Sequence, residues 1–312
     1  MLVLLMTGKI TTNIRNLKKM SNIRLGFIGL GVMGSEMAGH LQASKYELTV
    51  FNRSEKNRTN WKNKFKGRVS TSLQEIAESS DVIILCISKD DDVEEVINGN
   101  QGMLKDLKEG TIIIDHSTTS SELPIKMNKL LNPLNIQFID APISGGQAGA
   151  ESGQLSVMVG GDEHSFEKVK EIINIYSKFS KYMGESGSGQ LTKMVNQICI
   201  AGLIQALSEG INFSENVGLN SRDVLEVISK GAAQSWQMEN RWESMLQDEY
   251  DHGFAVDLMK KDLGIVIDRA EKSGINLDIT KIIDGFYTEI QDANGGRWDT
   301  SSLLRRIQRL IK

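Results

Sequence analysis

The chain has 312 residues, 40% hydrophobic and 24% charged, which is enough for two domains and a sizeable core of ordinary soluble composition. A net charge of −4 without a long basic run gives no sign of a nucleic-acid or anionic-membrane binder, and no apolar run approaches the roughly 20 residues that span a bilayer. Cys86 and Cys199 lie in apolar surroundings and read as buried small side chains in a reducing, cytoplasmic setting. The four histidines lack ligand spacing, so no metal site is expected.

Residues 1–20 place a short apolar start before basic residues, the reverse of a secretory signal. They read as an extension or a mis-assigned start, with translation beginning at Met20. An apolar run from Arg24 then meets Gly29-Leu30-Gly31-Val32-Met33-Gly34, and a helical pattern (Met33, Met37, Leu41) follows. This is strand, tight turn and helix with G-x-G-x-x-G spacing. The first glycine permits the turn, the second lets a pyrophosphate approach the backbone, and the third lets helix and strand pack closely. The helix N-terminus offers N–H groups to the phosphates. All six residues are therefore expected at a dinucleotide.

Further strands are expected at Glu47–Asn52, Val82–Ile87, Thr111–Asp115, Gln137–Asp140 and Gln154–Gly160, with helical stretches between them. Such alternation predicts a doubly wound, Rossmann-type, mostly parallel sheet over residues 21–185. The second strand ends in Asn52-Arg53-Ser54, where NAD-binding domains carry a carboxylate for the ribose 2′-hydroxyl. Asparagine does not repel a 2′-phosphate and Arg53 can bind it, so NADP(H) is favoured, with NAD(H) possible. Glu185-Ser-Gly-Ser-Gly189 reads as a flexible joint. A long helix over 190–216 then leads into an all-helical substrate and oligomerisation domain, 186–312.

Three more segments carry a family resemblance: Asp140-Ala-Pro-Ile-Ser-Gly-Gly146, Gly189-Gln-Leu-Thr-Lys-Met-Val-Asn-Gln197 and Lys261-Asp262-Leu263. In this order, after the glycine-rich turn, they resemble the β-hydroxyacid dehydrogenases over residues 23–311. The resemblance implies that Lys193 is the catalytic acid or base and that Asn196, three residues on, orients it or the substrate. It implies that Ser144, Gly145 and Gly146 anchor the acid group of a small carboxylate-bearing substrate. Gln197 joins them at the substrate, where many relatives have a second asparagine. Ile87, Thr118 and Lys261 are implied to lie at the cofactor, with Asp262 pairing elsewhere than with its neighbour Lys261. The segment Ile84–Ser88 departs from the Leu-Pro of many relatives, and His116 reads as structural.

The resulting expectation is an NADPH-dependent reductase of a small aldehyde or 2-oxo acid, such as succinic semialdehyde, glyoxylate or tartronate semialdehyde. The alternative is a dehydrogenase of 3-hydroxyisobutyrate or another short β-hydroxyacid; a non-catalytic cofactor-binding scaffold comes behind both. 6-Phosphogluconate dehydrogenase has a much longer helical domain, and imine reductases typically lack the lysine at position 193. A homodimer or homotetramer is expected. Trp236 and Trp242 read as core or pocket-shaping residues, and Arg305, Arg306 and Arg309 as a solvated helical face rather than an oligomer contact.

Overall fold

The structure is a computed structural model that describes residues 23–310. The expected extension at 1–20 lies outside them. Contacts divide the chain into two compact units with the boundary between Leu191 and Thr192.

The first unit is a nine-stranded sheet with helices on both faces. In chain order its elements are β1 (Arg24–Ile28), α1 (Val32–Gln42), β2 (Glu47–Phe51), α2 (Glu55–Phe65), β3 (Arg68–Val69), α3 (Leu73–Ser79), β4 (Val82–Leu85) and α4 (Asp90–Asn98). They continue as β5 (Ile112–Asp115), α5 (Glu122–Leu131), β6 (Gln137–Asp140), β7 (Ile143–Ser144), α6 (Gly146–Glu151), β8 (Leu155–Gly160), α7 (Glu163–Ile173) and β9 (Ser177–Gly184). The order across the sheet is β3-β2-β1-β4-β5-β6-β8-β7, with β9 paired to β8. Pairing is parallel from β3 to β6; β8 runs antiparallel to β6 and β7. The strand order reverses between β1 and β4, and the crevice at their carboxyl ends is where such sheets bind ligands.

Every expected strand is present, some a residue or two shorter. The central ones form because β-branched runs bury both faces. Val82 and Ile84 join one core cluster, while Ile83 and Leu85 join the other. Three strands went unseen in the sequence. β3 and β7 have two residues each, and β9 (Ser-Lys-Phe-Ser-Lys-Tyr-Met-Gly) carries the lysines typical of an exposed edge.

The second unit is helical: the long α8 (Ser188–Asn216), which begins in the first unit, then α9 (Ser221–Ile228), α10 (Trp236–Leu246), α11 (Val256–Lys272), α12 (Asp278–Asp292) and a helical run over 303–310. Ala201 and Ile204 of α8 pack with Met259 and Leu263 of α11 and Ile283 and Tyr287 of α12. By length and composition α8 is long and apolar enough to cross a membrane, contrary to the expectation of no such run. Its inner face nonetheless belongs to this core and buries Lys193, Gln197 and Gln205.

Cys199 is exposed on α8 rather than buried, and Cys86 is only half-buried by surface. Trp236 is 44% exposed, so it is not core. Arg305 and Arg306 are not a solvated face. Arg305 pairs with Asp248 at 2.7 Å between the rings of Tyr250 and Trp298, and buried Arg306 grips Glu289 over the ring of Phe286. Planar guanidinium groups stack on aromatic faces, so positive charge there did not mean solvation.

Candidate active site

The glycine-rich turn is built for close approach. Gly29 has φ +104°, and a Cβ there would lie 2.2 Å from the Cys86 carbonyl oxygen. A Cβ on Gly34 would lie 2.0 Å from the Gly29 oxygen, so helix and strand meet backbone to backbone. Gly31, by contrast, has open space where its Cβ would be, and it caps α1 with no side-chain acceptor. Exposed Val32 and half-buried Met33 follow, while Leu30 is buried. Open N–H groups at a helix start fit a pyrophosphate.

Just past the end of β2, Asn52 Oδ1 accepts the Leu30 N–H at 2.8 Å, joining this position to the turn. Ser54 caps α2 by accepting the Asn57 N–H. Arg53 is 90% exposed and lies 3.9 Å from an Asp92 oxygen. The sequence reading missed Arg58. One turn into α2, its guanidinium donates to the carbonyls of Asn52 and Arg53 at 2.5 and 3.1 Å. Its spacing of four from Ser54 was the available signal. Two guanidinium groups beside an asparagine fit a 2′-phosphate.

Deeper in the crevice, the Ile87 N–H donates to Ser117 Oγ at 3.0 Å, and half-buried Thr118 follows. Asp115, also unremarked in the sequence, is fully buried at the end of β5, in register with equally buried Asp140 on β6. Burial drives the Asp115 carboxyl up to about 7, against its hydrogen bond from the Ser117 N–H. His116 lies between the Ala141 carbonyl and the Tyr176 hydroxyl, and burial lowers it to about 4, so it serves as a neutral structural group.

Ser144 ends β7, opposite Ser156 of β8. Gly145 (φ +139°) and Gly146 (φ +62°) then make a fixed turn closed by the Gly149 N–H on the Gly145 carbonyl. The segment 185–189 is not a flexible joint. The Asp140 carboxylate accepts the Gly187 N–H at 2.8 Å and the Gln190 N–H at 3.0 Å, fixing the start of α8.

In the helical unit, Lys193 is 7% exposed. Burial lowers its ammonium to about 8; Asp262 opposes that shift and Lys261 adds to it. Asn196 donates to Gln197 Oε1 at 2.8 Å, and Gln197 donates to Asp262 Oδ2 at 2.7 Å. Lys261 Nζ reaches Asp262 Oδ1 at 3.1 Å, so Asp262 pairs with its neighbour as well as with another partner. Gln197, expected at the substrate, is buried with both ends of its carboxamide in this network.

Two family models cover nearly all of the chain. One, described as the NAD binding domain of 6-phosphogluconate dehydrogenase, matches residues 24–185; the other, described as NAD-binding of NADP-dependent 3-hydroxyisobutyrate dehydrogenase, matches 187–307. The chain belongs to the β-hydroxyacid dehydrogenase family. Members of this family are NAD(P)-dependent oxidoreductases that act on hydroxyacids. Among similar proteins, an uncharacterized oxidoreductase of Shewanella frigidimarina is 48% identical, covering 92% of this chain and 98% of that protein. A 2-hydroxy-3-oxopropionate reductase of Escherichia coli is 32% identical, covering 92% and 97%. The fold matches 3-hydroxyisobutyrate dehydrogenase of Mycobacterium tuberculosis, solved with L-serine, at a TM-score of 0.83 over 92% of this chain and 99% of that one, with 24% identity.

Proposed function

We propose that the protein is an NADPH-dependent reductase of a small carboxylate-bearing aldehyde or 2-oxo acid, of the succinic semialdehyde, glyoxylate or tartronate semialdehyde type. The observation that carries this reading is Lys193, an ammonium buried beside Asp262, with its acidity brought near neutrality. When bound, a reduced nicotinamide would supply the hydride. Lys193 donates the proton that converts the carbonyl oxygen to a hydroxyl, and its charge stabilises that oxygen as it becomes negative. Asp262 keeps the amine from losing its proton too readily, and Asn196 and Gln197 hold Asp262 in place. Ser144 and the 145–146 turn offer a hydroxyl and N–H groups to the substrate carboxylate. Asn52, Arg53 and Arg58 favour NADPH, and the name of the second family model, with its NADP-dependent dehydrogenase, agrees.

The second reading is oxidation of a short β-hydroxyacid, with Lys193 accepting the proton; the relatives named as dehydrogenases favour it. The deciding assay follows absorbance at 340 nm with NADPH or NADH against semialdehydes and oxo acids, and with NAD(P) against 3-hydroxyisobutyrate and serine. Lys193→Ala should bind cofactor normally and lose about 100-fold or more in turnover. Unchanged turnover would remove Lys193 from the mechanism.

A homo-oligomer is also proposed. On α8, Val195, Gly202, Leu203, Ala206, Gly210 and Phe213 lie within one side of about 120° at 100° per residue. Val195, Leu203 and Phe213 are exposed, and nothing stands within 4 Å of a Cβ placed on Gly202 or Gly210. Small residues between large apolar ones suit close approach of a second copy of this helix about a two-fold axis. Sedimentation of the protein and of Phe213→Glu tests it; a wild-type monomer would overturn it.

A further inference from the structure

Gln190 is fully buried in the first turn of α8, and nothing in the reaction described above uses it. Its side-chain Nε2 donates to the Ser117 carbonyl at 2.8 Å, and its Oε1 accepts the Thr119 N–H at 3.2 Å. Its own N–H is held by Asp140 at 3.0 Å. A backbone carbonyl can only accept and a backbone N–H can only donate, so the orientation of the carboxamide is set by its partners. Among side chains of this length, only a primary carboxamide satisfies both at neutral pH. Leucine or methionine would leave both backbone groups buried and unpaired, and a carboxylate would face the Ser117 carbonyl with no proton to give.

The same turn reaches further. Ser117 Oγ accepts the Ile87 N–H, and the Ser117 N–H donates to Asp115. Asp140 in turn sits in a glycine cradle, where a Cβ on Gly160 or Gly189 would come within 2.7–2.8 Å of its carboxylate oxygens. The carboxyl ends of β4 and β5 are thus fastened to the start of α8 through the Gln190 carboxamide, and that of β6 through the Asp140 carboxylate. Lys193 follows three residues later on that helix, one turn on.

We infer that Gln190 is a positioning residue for the transfer step: its carboxamide locks the turn over 117–119 to the first turn of the helix that carries Lys193. This rests on the reading that Lys193 gives the proton and that residues 117–119 lie at the cofactor. Transfer is sensitive to placement, since an error of about 1 Å can cost about 100-fold. Gln190 touches neither reacting group in this account and acts through the two segments it joins.

The test uses the full-length protein and two variants. Gln190→Met keeps the volume and removes both hydrogen bonds. It is expected to hold NADPH within about threefold of wild type, to lower kcat by about tenfold or more, and to speed amide hydrogen exchange over 117–119. Gln190→Glu keeps the acceptor for Thr119 and supplies the donor for Ser117 only when protonated. The ionisable groups around it are Asp140, Asp115, His116 and, through Ser120, Asp90; the carboxylates favour its protonated form. Its kcat is therefore expected to approach wild type near pH 6 and to fall already by about pH 7, a limb that lies below the alkaline one near pH 8 which Lys193 gives both proteins. A purely structural role would not produce that limb.

If Gln190→Met fails to fold, the Gln190→Glu profile decides. Wild-type kcat and pH profile in the variants would overturn the inference, whether or not exchange changes. Should the wild type reduce none of the carbonyl compounds, the functional reading fails by itself. Exchange over 117–119 then judges the clamp: faster exchange in Gln190→Met upholds it, and unchanged exchange overturns it.

Discussion

Asn52 Oδ1 accepts the backbone N–H of Leu30 at 2.8 Å, so the side chain that follows β2 also braces the turn between the first two glycines of the fingerprint. A carboxylate would make the same hydrogen bond. What asparagine changes is charge, and charge decides between a ribose hydroxyl and a 2′-phosphate.

Asn52→Asp should therefore leave the fold intact and shift preference towards NADH by about tenfold or more in the ratio of kcat/KM values. Arg53→Ala should weaken NADPH by about tenfold and leave NADH nearly unchanged. Steady-state kinetics with both cofactors checks these outcomes, and equal losses for the two cofactors would sink the assignment of Arg53 to the 2′-phosphate.

Two glycines of the turn should separate stability from binding. Gly31→Ala puts a methyl group into open space, so the melting temperature should stay within a few degrees while NADPH and NADH both bind at least about tenfold more weakly. Gly34→Ala forces a Cβ to 2.0 Å from the Gly29 carbonyl oxygen and should leave little folded protein. Thermal melts and cofactor titration by fluorescence distinguish the two.

Lys193 should set an alkaline limit on reduction. Its ammonium is lowered from 10.5 to about 8, chiefly by burial, so kcat should fall above about pH 8 as the acid is lost. The linked stability has a definite sign. The unfolded lysine holds its proton to higher pH than the folded one, so stability rises between about 8 and 10.5, and the full cost of the buried charge is present below 8. Lys193→Met should then be inactive yet more stable at pH 7, by about 1–3 kcal/mol, in denaturant titrations. A less stable variant would mean that the Asp262 pairing outweighs burial.

Asp115 should behave in the opposite sense with pH. Burial raises its carboxyl from 3.8 to about 7. The folded state binds the proton more tightly, so this group costs nothing below about pH 3.8 and its full penalty applies above 7. Asp115→Asn keeps an acceptor for the Ser117 N–H. It should raise the melting temperature by a few degrees at pH 8, for roughly 1 kcal/mol or more, and leave it unchanged near pH 4. A gain of the same size at both pH values would show that the carboxyl does not titrate in this range.

Legibility followed periodicity and local chemistry. Val82–Leu85 and Ile112–Asp115 announced themselves because both faces of a central parallel strand are buried, whereas Ser177–Gly184 reads as polar since an edge strand faces solvent. The glycine turn was legible because its spacing states a backbone requirement. Arg58 and Gln190 were not, for their roles depend on groups brought near by folding: the carbonyls of Asn52 and Arg53, and the backbone of Ser117 and Thr119. Arg306 misled because its charge is matched by Glu289 and the ring of Phe286 only after the chain has closed.

By itself, then, the sequence determined a Rossmann-type sheet, a glycine-rich turn and a following helical domain, and it singled out Lys193 as the candidate acid, all of which rest on spacing within one segment or on motif order. Tertiary structure decided the electrostatic state of those groups. Lys193 becomes a near-neutral acid, Asp115 a carboxyl poised near 7 and His116 a neutral ring through desolvation, which depends on what packs around a group and not on its neighbours in the chain.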